Sequence, residues 1–326
     1  MIENFVKYAL ENNGTIAPLL IPSQDLNGPA LTNPSVLVIE DRIFVNLRNI
    51  NYTLYHSEKK KYEHVWGPLV YIHPENELKL KTVNVFCELN PDLTLKTYAP
   101  IDTSNLDQEP LWEFVGLEDG RLIYWDNKLY LCGVRRDTTT NGQGRMELSE
   151  LVLDGNKVIE IQRTRIPCPG KDDSYCEKNW MPILNQPYKF VKWSNPIEIV
   201  DVDVNGITCK TSHVGEHIPN HKDWRGGSQV VKWGDYYICL IHETNLLWSE
   251  AGRKDAIYRH RFIVWDKKWN FVNCSKEFSF MNADIEFAVG MDLYKNNFLI
   301  TFGYQDNAAY IIKVPEIVVE NFINEQ

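Results

Sequence analysis

Short apolar stretches separated by polar turn residues run along most of this sequence. In each repeat a strand-like stretch is followed by a polar turn, an aromatic-rich stretch and a polar residue. The repeat occurs as VLVIEDRIFVNLRN, LIYWDNKLYLCGVRRD, NQPYKFVKWSNP, VVKWGDYYICLIHET and LYKNNFLITFGYQDN. A recurring unit built only of strands is typical of propeller blades. The pattern therefore predicts an all-β fold, a five-bladed β-propeller, with a β-sandwich of similar hairpins as the alternative.

Helical spacing is confined to the two ends of the chain. Apolar residues at Ile2, Phe5, Val6, Ala9 and Leu10, and at Ile317, Val318, Phe322 and Ile323, predict short terminal helices. We expect a single domain spanning 1–326, with blades over roughly 30–315. The charged insertion SEKKKYEHVWGP at 57–68 is interpreted as a solvated loop within the first repeat.

Composition narrows the class of partner. The chain has 326 residues and a net charge of −10, which argues against nucleic acid or an anionic membrane as the main partner. The polar N-terminus and the lack of a long apolar stretch predict a cytoplasmic protein. Seven cysteines without a C-x-x-C pair indicate buried, reduced thiols and no zinc site. A homo-oligomer formed through the terminal helices is compatible with the sequence.

Charged and polar residues end the repeats. In chain order they are Arg48, the stretch 116–121, Arg135, Arg136, Arg145, Glu177, Lys178, Asn179, the stretch 225–228, His242 and Asp306. In a propeller the innermost strands converge on a central channel, so these side chains are expected to meet in one pocket. Cations there would bind an anion such as phosphate, and a carboxylate beside them could act as a general acid.

The wording and order of these segments resemble glycoside hydrolase family 130, the β-mannoside phosphorylases, and the related β-1,2-mannosyltransferases. The matching segments are GLEDGRL (116–122), VRRD (134–137), GRMELSEL (144–151), EKNWMPI (177–183), RGGSQVVKWGDYYICLIHE (225–243) and ITFGYQDNAAYI (300–311). The resemblance spans roughly residues 30–315 and keeps the family's order.

The resemblance implies a role for each residue. Asp119 would be the general acid, acting through a hydroxyl group of the sugar. The phosphate-binding residues would be Arg135 or Arg136, Arg145, Lys178 and His242. The residues that bind the sugar substrate would be Arg48, Glu118, Asn179, Arg225 and Asp306. Phosphate would attack directly and invert the anomeric carbon, so inorganic phosphate is the co-substrate and no cofactor is needed.

Some of these positions also have plainer interpretations. The family's proline is Gly120 here, which is expected to loosen the backbone around Asp119, and Asp119-Gly120 could instead be a hairpin turn. Glu118 is then the alternative acid. The stretch that carries His213, His217 and His221 resembles a loop, so no metal is assigned, and the three histidines become candidates for the wall of the leaving-group subsite. Trp112, Trp180 and Trp224 are either sugar-stacking platforms or core residues.

The function predicted from the sequence is cleavage or formation of β-mannosidic linkages, by inverting phosphorolysis. The partner would be an oligosaccharide or a sugar phosphate. One alternative is a β-1,2-mannosyltransferase that uses a sugar-nucleotide or sugar-phosphate donor. A second alternative, of another class, is a sugar-binding propeller without catalysis.

Overall fold

The computed structural model describes residues 3–55, 70–72, 77–170, 174–219, 224–248 and 254–325. The predicted solvated loop at 57–68, Ile2 and His221 lie outside the described residues. The first elements are a short strand, a helix and a second strand: β1 (Glu3–Asn4), α1 (Phe5–Glu11) and β2 (Thr15–Pro18). A 3-10 turn at Ser23–Asp25 leads into the sheets.

Most of the chain forms successive antiparallel meanders. The first contains β3 (Ala30–Ile39), β4 (Arg42–Ile50), the small hairpin β5 (Thr53–Tyr55) and β6 (Val70–Ile72), then β7 (Leu80–Leu89) and β8 (Leu95–Asp102). The second contains β9 (Phe114–Val115), β10 (Leu117–Trp125), β11 (Lys128–Arg135), β12 (Arg145–Asp154) and β13 (Lys157–Arg165). Strands β5 and β6 form a separate two-stranded sheet, and parallel pairing between β8 and β13 joins the other nine strands of these two meanders into one sheet.

The remaining meanders follow in chain order. The third contains β14 (Met181–Pro182), β15 (Lys189–Ser194), β16 (Ile197–Asp203) and β17 (Thr208–Val214). The fourth contains β18 (Trp224–Gly226), β19 (Val231–Trp233), β20 (Tyr236–Trp248), β21 (Lys254–Asp266), β22 (Phe271–Cys274) and β23 (Phe278–Ser279). The last contains β24 (Glu286–Tyr294), β25 (Asn297–Tyr304) and β26 (Ala308–Pro315), and α2 (Glu316–Asn324) ends the chain. The predicted all-β fold is confirmed.

The two ends of the chain meet in the last sheet. Strand β2 pairs antiparallel with β26, so a strand from the N-terminus completes a sheet formed by the C-terminal strands. The two helices also pack together, with the rings of Phe5 and Phe322 centred 5.0 Å apart. Helix α1 buries Phe5, Val6 and Ala9, and α2 buries Val318, Phe322 and Ile323, whereas Leu10 and Ile317 are exposed. The predicted short helices at both ends are confirmed.

Local sequence explains the hairpin that precedes the site. Asp126 and Asn127 both have positive φ, 50° and 61°, and they connect β10 to β11 directly. Two central residues with positive φ define a turn whose twist suits adjacent antiparallel strands, and Asp and Asn tolerate that conformation better than other non-glycine residues. The turn residues seen in the sequence therefore specify this hairpin.

A buried glutamine closes the centre of the molecule. Strands β3, β10 and β24 contact one another there, and each carries a β-bulge. The fully buried Gln229 donates its Nε2 to Val36 O (2.7 Å) and Leu122 O (3.0 Å), and its Oε1 accepts from Met291 N (3.0 Å). One side chain thus satisfies a backbone group on each of the three strands, which fixes their spacing.

Candidate functional site

Asp119 lies at the bulge in β10. Glu118 pairs with Val134 and Arg121 with Cys132, so Asp119 and Gly120 share the space opposite a single residue of β11. Asp119 has φ +51°. The bulge lies within one continuous strand, so the alternative interpretation of Asp119-Gly120 as a hairpin turn is wrong. Bulges of this kind redirect a side chain and are frequent beside functional sites.

Position 120, directly after Asp119, has no room for a side chain because Leu131 fills the space beside it. A Cβ atom at position 120 would lie 2.8 Å from Cδ1 of Leu131, a buried residue of the neighbouring strand. Any larger residue would therefore displace the core packing around Leu131. Gly120 is consistent with a tightly packed bulge and not with the loosened backbone expected from the sequence.

Arg48 holds the two adjacent carboxylates. Its Nη1 donates to Asp119 Oδ1 at 2.9 Å, and its Nη2 lies 3.5 Å from Glu118 Oε2. Asn33, a residue that the sequence did not single out, donates its Nδ2 to the same Asp119 oxygen at 2.8 Å. All of these side chains are largely buried, so the contacts are strong compared with surface ion pairs.

Arg48 is itself fixed by neutral partners. Its Nε donates to Thr82 Oγ1 at 3.1 Å and its Nη2 to the Tyr52 hydroxyl at 2.6 Å. A charged residue, Asp306, also lies near Arg48, and its charge acts on the guanidinium. Asp306 is held there by Thr32, whose Oγ1 donates to Asp306 Oδ1 at 3.4 Å. Two of the predicted sugar-binding residues, Arg48 and Asp306, therefore lie together beside Asp119.

The pKa values of the two adjacent carboxylates are shifted in opposite directions in the free protein. Burial raises the pKa of Glu118 above its usual range, and the charge of Arg48 offsets this only in part. Burial also acts to raise the pKa of Asp119, but Arg48 and the hydrogen bond from Asn33 outweigh it, so the pKa of Asp119 is lowered. In the free protein Glu118 therefore binds a proton more readily than Asp119 does.

Cations approach this pair from the second and third meanders. The charges of Arg136 and Lys178 both act on Glu118, and that of Lys178 also acts on Asp119. Lys178 is exposed, whereas Arg136 donates its Nε to Gly142 O at 3.0 Å. Asn179, next to Lys178, has φ +62°, which turns the chain at this point. Exposed or partly solvated cations beside carboxylates are available to an anionic ligand.

His242 and Arg225 extend the site into the fourth meander. They are opposite one another in the β18–β20 pair and therefore share a face of the sheet. His242 stacks on Tyr258 with ring centroids 5.1 Å apart. Burial, together with the charges of His260 and Arg225, lowers the pKa of His242 well below its ordinary value, so its imidazole is neutral.

Tyr258 is a site residue that the sequence analysis missed. Burial and the charges of Asp306 and Asp119 raise the pKa of Tyr258 to about 12. The hydroxyl of Tyr258 is therefore close enough to the carboxylates of Asp306 and Asp119 to interact with them electrostatically. Its place next to His242 follows from pairing between β20 and β21, and no local motif marks it.

Arg135 is engaged elsewhere. Its Nε lies 2.8 Å from Glu147 Oε2 and its Nη1 3.4 Å from Asp137 Oδ2, and all three residues are buried. They line a cleft of about 710 Å³ between the first two meanders. Arg136, which directly follows the end of β11, is the member of the pair whose charge acts on Glu118. Arg145 is buried opposite Arg135 and donates its Nη1 to Gly144 O at 2.7 Å.

The remaining sequence interpretations divide between core and surface. Trp180 and Trp224 are each 1% exposed and belong to the core, so they are not sugar platforms, whereas Trp112 is half-buried. Three of the seven cysteines are buried and four are half-buried, and all are free thiols.

Across the described residues, no cluster of three or more His, Cys, Asp or Glu side chains could hold a metal ion. Within the same ranges, neither helix has the length and apolar character needed to span a membrane.

The fold was compared with known proteins. No family model and no curated protein matches the sequence. Among solved structures, β-1,2-mannobiose phosphorylase from Listeria innocua, in complex with β-1,2-mannobiose, is 12% identical, with a TM-score of 0.55 over 95% of this chain and 97% of that chain. A mannose phosphorylase from Leishmania mexicana, in complex with a phosphate ion, is 10% identical, with a TM-score of 0.51 over 97% and 93%.

A third structure belongs to the GH130 family of mannoside phosphorylases, described as containing glycoside hydrolases that target β-1,2 mannosidic linkages in Candida mannan. It is 12% identical to this chain, with a TM-score of 0.56 over 92% of this chain and 93% of that chain. At these identities the likeness shows a common propeller-like fold. The resemblance inferred from the sequence is confirmed, since the structural neighbours of this chain include mannoside phosphorylases of glycoside hydrolase family 130.

Proposed function

We propose that the protein is an inverting phosphorylase that acts on β-mannosides in the pocket around Asp119. The observation that carries this proposal is the arrangement of an adjacent carboxylate pair, Glu118 and Asp119, held by Arg48 and faced by Lys178 and Arg136. We also propose that the successive meanders are the blades of a five-bladed propeller, with β2 completing the last blade. The pocket would then lie at the convergent ends of the inner strands, above Gln229.

Asp119 is proposed as the general acid. In the free protein it is ionised, so it must gain a proton before it can donate one. Bound phosphate would neutralise the charge of Lys178, and its own negative charge would raise the pKa of Asp119 further. The acid therefore forms only when phosphate is present, which suppresses proton donation in its absence.

The reaction is then a single displacement. A phosphate oxygen forms a bond to the anomeric carbon while the bond to the glycosidic oxygen breaks. The proton of Asp119 passes to the leaving oxygen through a sugar hydroxyl group, and solvent restores it. Arg136, Lys178, Arg225 and His242 would hold phosphate on the opposite face of the sugar. Arg48, Glu118, Asn179 and Asp306 would orient the mannosyl group.

Phosphate is preferred to water as the nucleophile because Lys178 and Arg136 form no ion pair with a carboxylate among the described residues, whereas Arg135 is paired with Glu147 and Asp137. The neighbours agree in substrate class, since one is a mannobiose phosphorylase and another holds a phosphate ion. A neutral His242 can donate one hydrogen bond to phosphate and keep a proton-accepting nitrogen.

The test is to supply the protein with mannose 1-phosphate and mannose, and separately with GDP-mannose and the same acceptors. Phosphate release and mannobiose formation from the first mixture support the proposal. Consumption of GDP-mannose alone would identify a transferase instead, and binding of mannobiose without any turnover would identify a sugar-binding protein.

Two variants separate the adjacent carboxylates. Asp119→Asn is expected to lower kcat by at least about a hundredfold, because general acid catalysis contributes roughly 10²–10⁴-fold. Glu118→Gln is expected to raise KM more than it lowers kcat. If Glu118→Gln abolishes turnover and Asp119→Asn does not, Glu118 is the acid.

A further inference from the structure

Arg121 is a fully buried arginine whose hydrogen bonds join the site to the centre of the molecule. Its Nη1 donates to the backbone carbonyl of Asp119 at 2.9 Å, and its Nε donates to Gly227 O at 2.8 Å. Its side chain is 0% exposed. Its Nη2 has no hydrogen-bond partner among the described residues. Burying a charged guanidinium whose hydrogen bonds go to backbone carbonyls lowers the stability of the folded state. We therefore expect Arg121 to have a role that offsets this loss.

The first carbonyl belongs to a strained residue. A positive φ costs a non-glycine residue on the order of 1 kcal/mol, and it persists only where the surroundings enforce it. Arg121 holds the carbonyl of Asp119, while Arg48 and Asn33 hold its carboxylate. The backbone and the side chain of Asp119 are therefore fixed from two sides.

The second carbonyl belongs to a segment that cannot shift. A Cβ atom at Gly227 would lie 2.5 Å from Leu240 O and 3.0 Å from Ala288 O, so the backbone passes between two strands without room to spare. Two residues earlier in the same segment is Arg225, whose charge acts on His242 and Tyr258. Arg121 is thus a direct bridge between Asp119 and the segment that carries Arg225.

The charge of Arg121 also acts on Asp119. Burial lowers the pKa of Arg121 to about 10, with Asp119 opposing the shift, so Arg121 remains charged at neutral pH. In return its charge lowers the pKa of Asp119. Removing the charge would therefore raise the proton affinity of Asp119 as well as free its backbone.

We propose that Arg121 is a positioning residue that sets the conformation of Asp119 and fixes its distance from the anion-binding side chain of Arg225. The proposal rests on the proposed function, because it assigns Asp119 and Arg225 to one reaction. Arg121 does not contact the substrate. It acts by keeping the proton donor and the phosphate-binding side chains in a single arrangement.

The test compares Arg121→Gln and Arg121→Lys with the control Arg163→Gln. Arg163 is also largely buried and paired with a buried carboxylate, that of Glu160, but it lies in β13 away from the pocket. Arg121→Gln is expected to lower kcat by about a hundredfold, the loss typical of a misplacement near 1 Å, with KM for phosphate changed less. Arg121→Lys, which keeps the charge and one of the two bonds, is expected to recover part of the loss.

The pH profile of kcat distinguishes positioning from a merely structural role. A general acid must be protonated, so the rate falls as the pH rises through its pKa. In Arg121→Gln this fall should move to higher pH, in Arg121→Lys it should move little, and in Arg163→Gln it should not move. An unmoved profile in Arg121→Gln together with a loss of kcat no larger than that of Arg163→Gln would overturn the proposal.

A second measurement does not depend on turnover. Titration of the ¹³C-labelled Asp119 carboxylate by NMR, assigned with Asp119→Asn, should show a higher pKa in Arg121→Gln than in the unmodified protein. If the unmodified protein turns over no mannosyl donor, the proposed function fails, and the proposal for Arg121 fails with it because no reaction remains to be positioned. If turnover is present but the Asp119 titration is the same in both proteins, only the role of Arg121 is refuted.

Discussion

Replacing Arg48 by methionine tests whether the carboxylate pair depends on this one guanidinium. The substitution keeps an unbranched apolar chain in the space of the arginine and removes the donors to Asp119 and Glu118. Arg48 is 5% exposed. Removing one partner of a buried ion pair costs about 3–5 kcal/mol, because the other charge stays buried without compensation. We expect the free energy of unfolding of Arg48→Met to fall by that amount at neutral pH.

Strand β4 supplies a matched control. Arg42 lies on the same strand and donates two hydrogen bonds of 3.0 Å to Glu88, but 54% of its side chain is exposed. Arg42→Met should therefore cost no more than about 1 kcal/mol, as is usual for exposed ion pairs. The two variants make the same chemical change and differ in burial.

The pH dependence of stability carries the sharper test. In the unmodified protein the pKa of Asp119 is lower when folded than when unfolded, so its contribution is present above the unfolded pKa and is lost as the pH falls through the folded one. Without Arg48, burial dominates and the folded pKa lies above the unfolded one. The contribution then reverses, and stability falls as the pH rises, by up to about 1.4 kcal/mol per pH unit for each carboxylate.

Urea unfolding followed by tryptophan fluorescence at several pH values from about 4 to 8 measures both quantities. Two outcomes would contradict the reasoning. One is a loss at neutral pH for Arg48→Met equal to that for Arg42→Met. The other is a stability of Arg48→Met that still rises between pH 4 and 7.

Three further predictions concern the packing around the site, and urea unfolding measures each. Gly120→Ala should lower the free energy of unfolding by about 1–3 kcal/mol, because the new Cβ atom would meet Leu131. Adding Leu131→Val should recover part of this loss. An unchanged free energy of unfolding would mean that the bulge has room for a side chain. Gln229→Leu should lower the free energy of unfolding by at least about 3 kcal/mol, because it leaves three buried backbone groups without partners at about 1–3 kcal/mol each. An unchanged free energy of unfolding would refute the role of Gln229 as the link between the three strands. Burial raises the pKa of Asp292 to about 7, above its unfolded value, so its stabilising contribution is present at low pH and is lost as the pH rises from about 4 to 7. Asp292→Asn should remove this fall, and an unchanged slope would contradict it.

Features set by neighbouring residues were predictable from the sequence. The turn at Asp126 and Asn127 follows from two residues that tolerate positive φ, and the terminal helices follow from apolar spacing. The order of polar residues at the strand ends was also informative. Among the residues that it picked out, Arg48, Arg136 and Lys178 act electrostatically on Glu118. Arg225 and Lys178 act on His242, and Asp306 acts on Arg48.

Features set by contacts between distant segments were not predictable. Arg135 ends β11 and Arg136 follows it, and which of the two lies near the site depends on how the end of β11 packs between its neighbours. The same limit applies to Asn33, which reaches Asp119 only because the first and second meanders meet. Tyr258 reaches His242 through the register of two neighbouring strands, β20 and β21, which no local motif reveals. Trp180 and Trp224 are adjacent to site segments in sequence, yet their rings face the core.

The glycine at position 120 shows why a departure from a family's pattern is hard to interpret from sequence alone. A glycine increases freedom in the unfolded chain, so loss of the family's proline suggested a loose backbone. In the folded protein the freedom of this segment is decided by its neighbours: Leu131 fills the space beside Gly120, Arg121 holds the preceding carbonyl, and Arg48 holds the carboxylate. These contacts come from three different strands, and together they restrain Asp119 where a single proline would restrain only the next φ angle. Asp119 can therefore be held in one geometry without the proline, so Gly120 does not count against the proposed role of Asp119 as general acid.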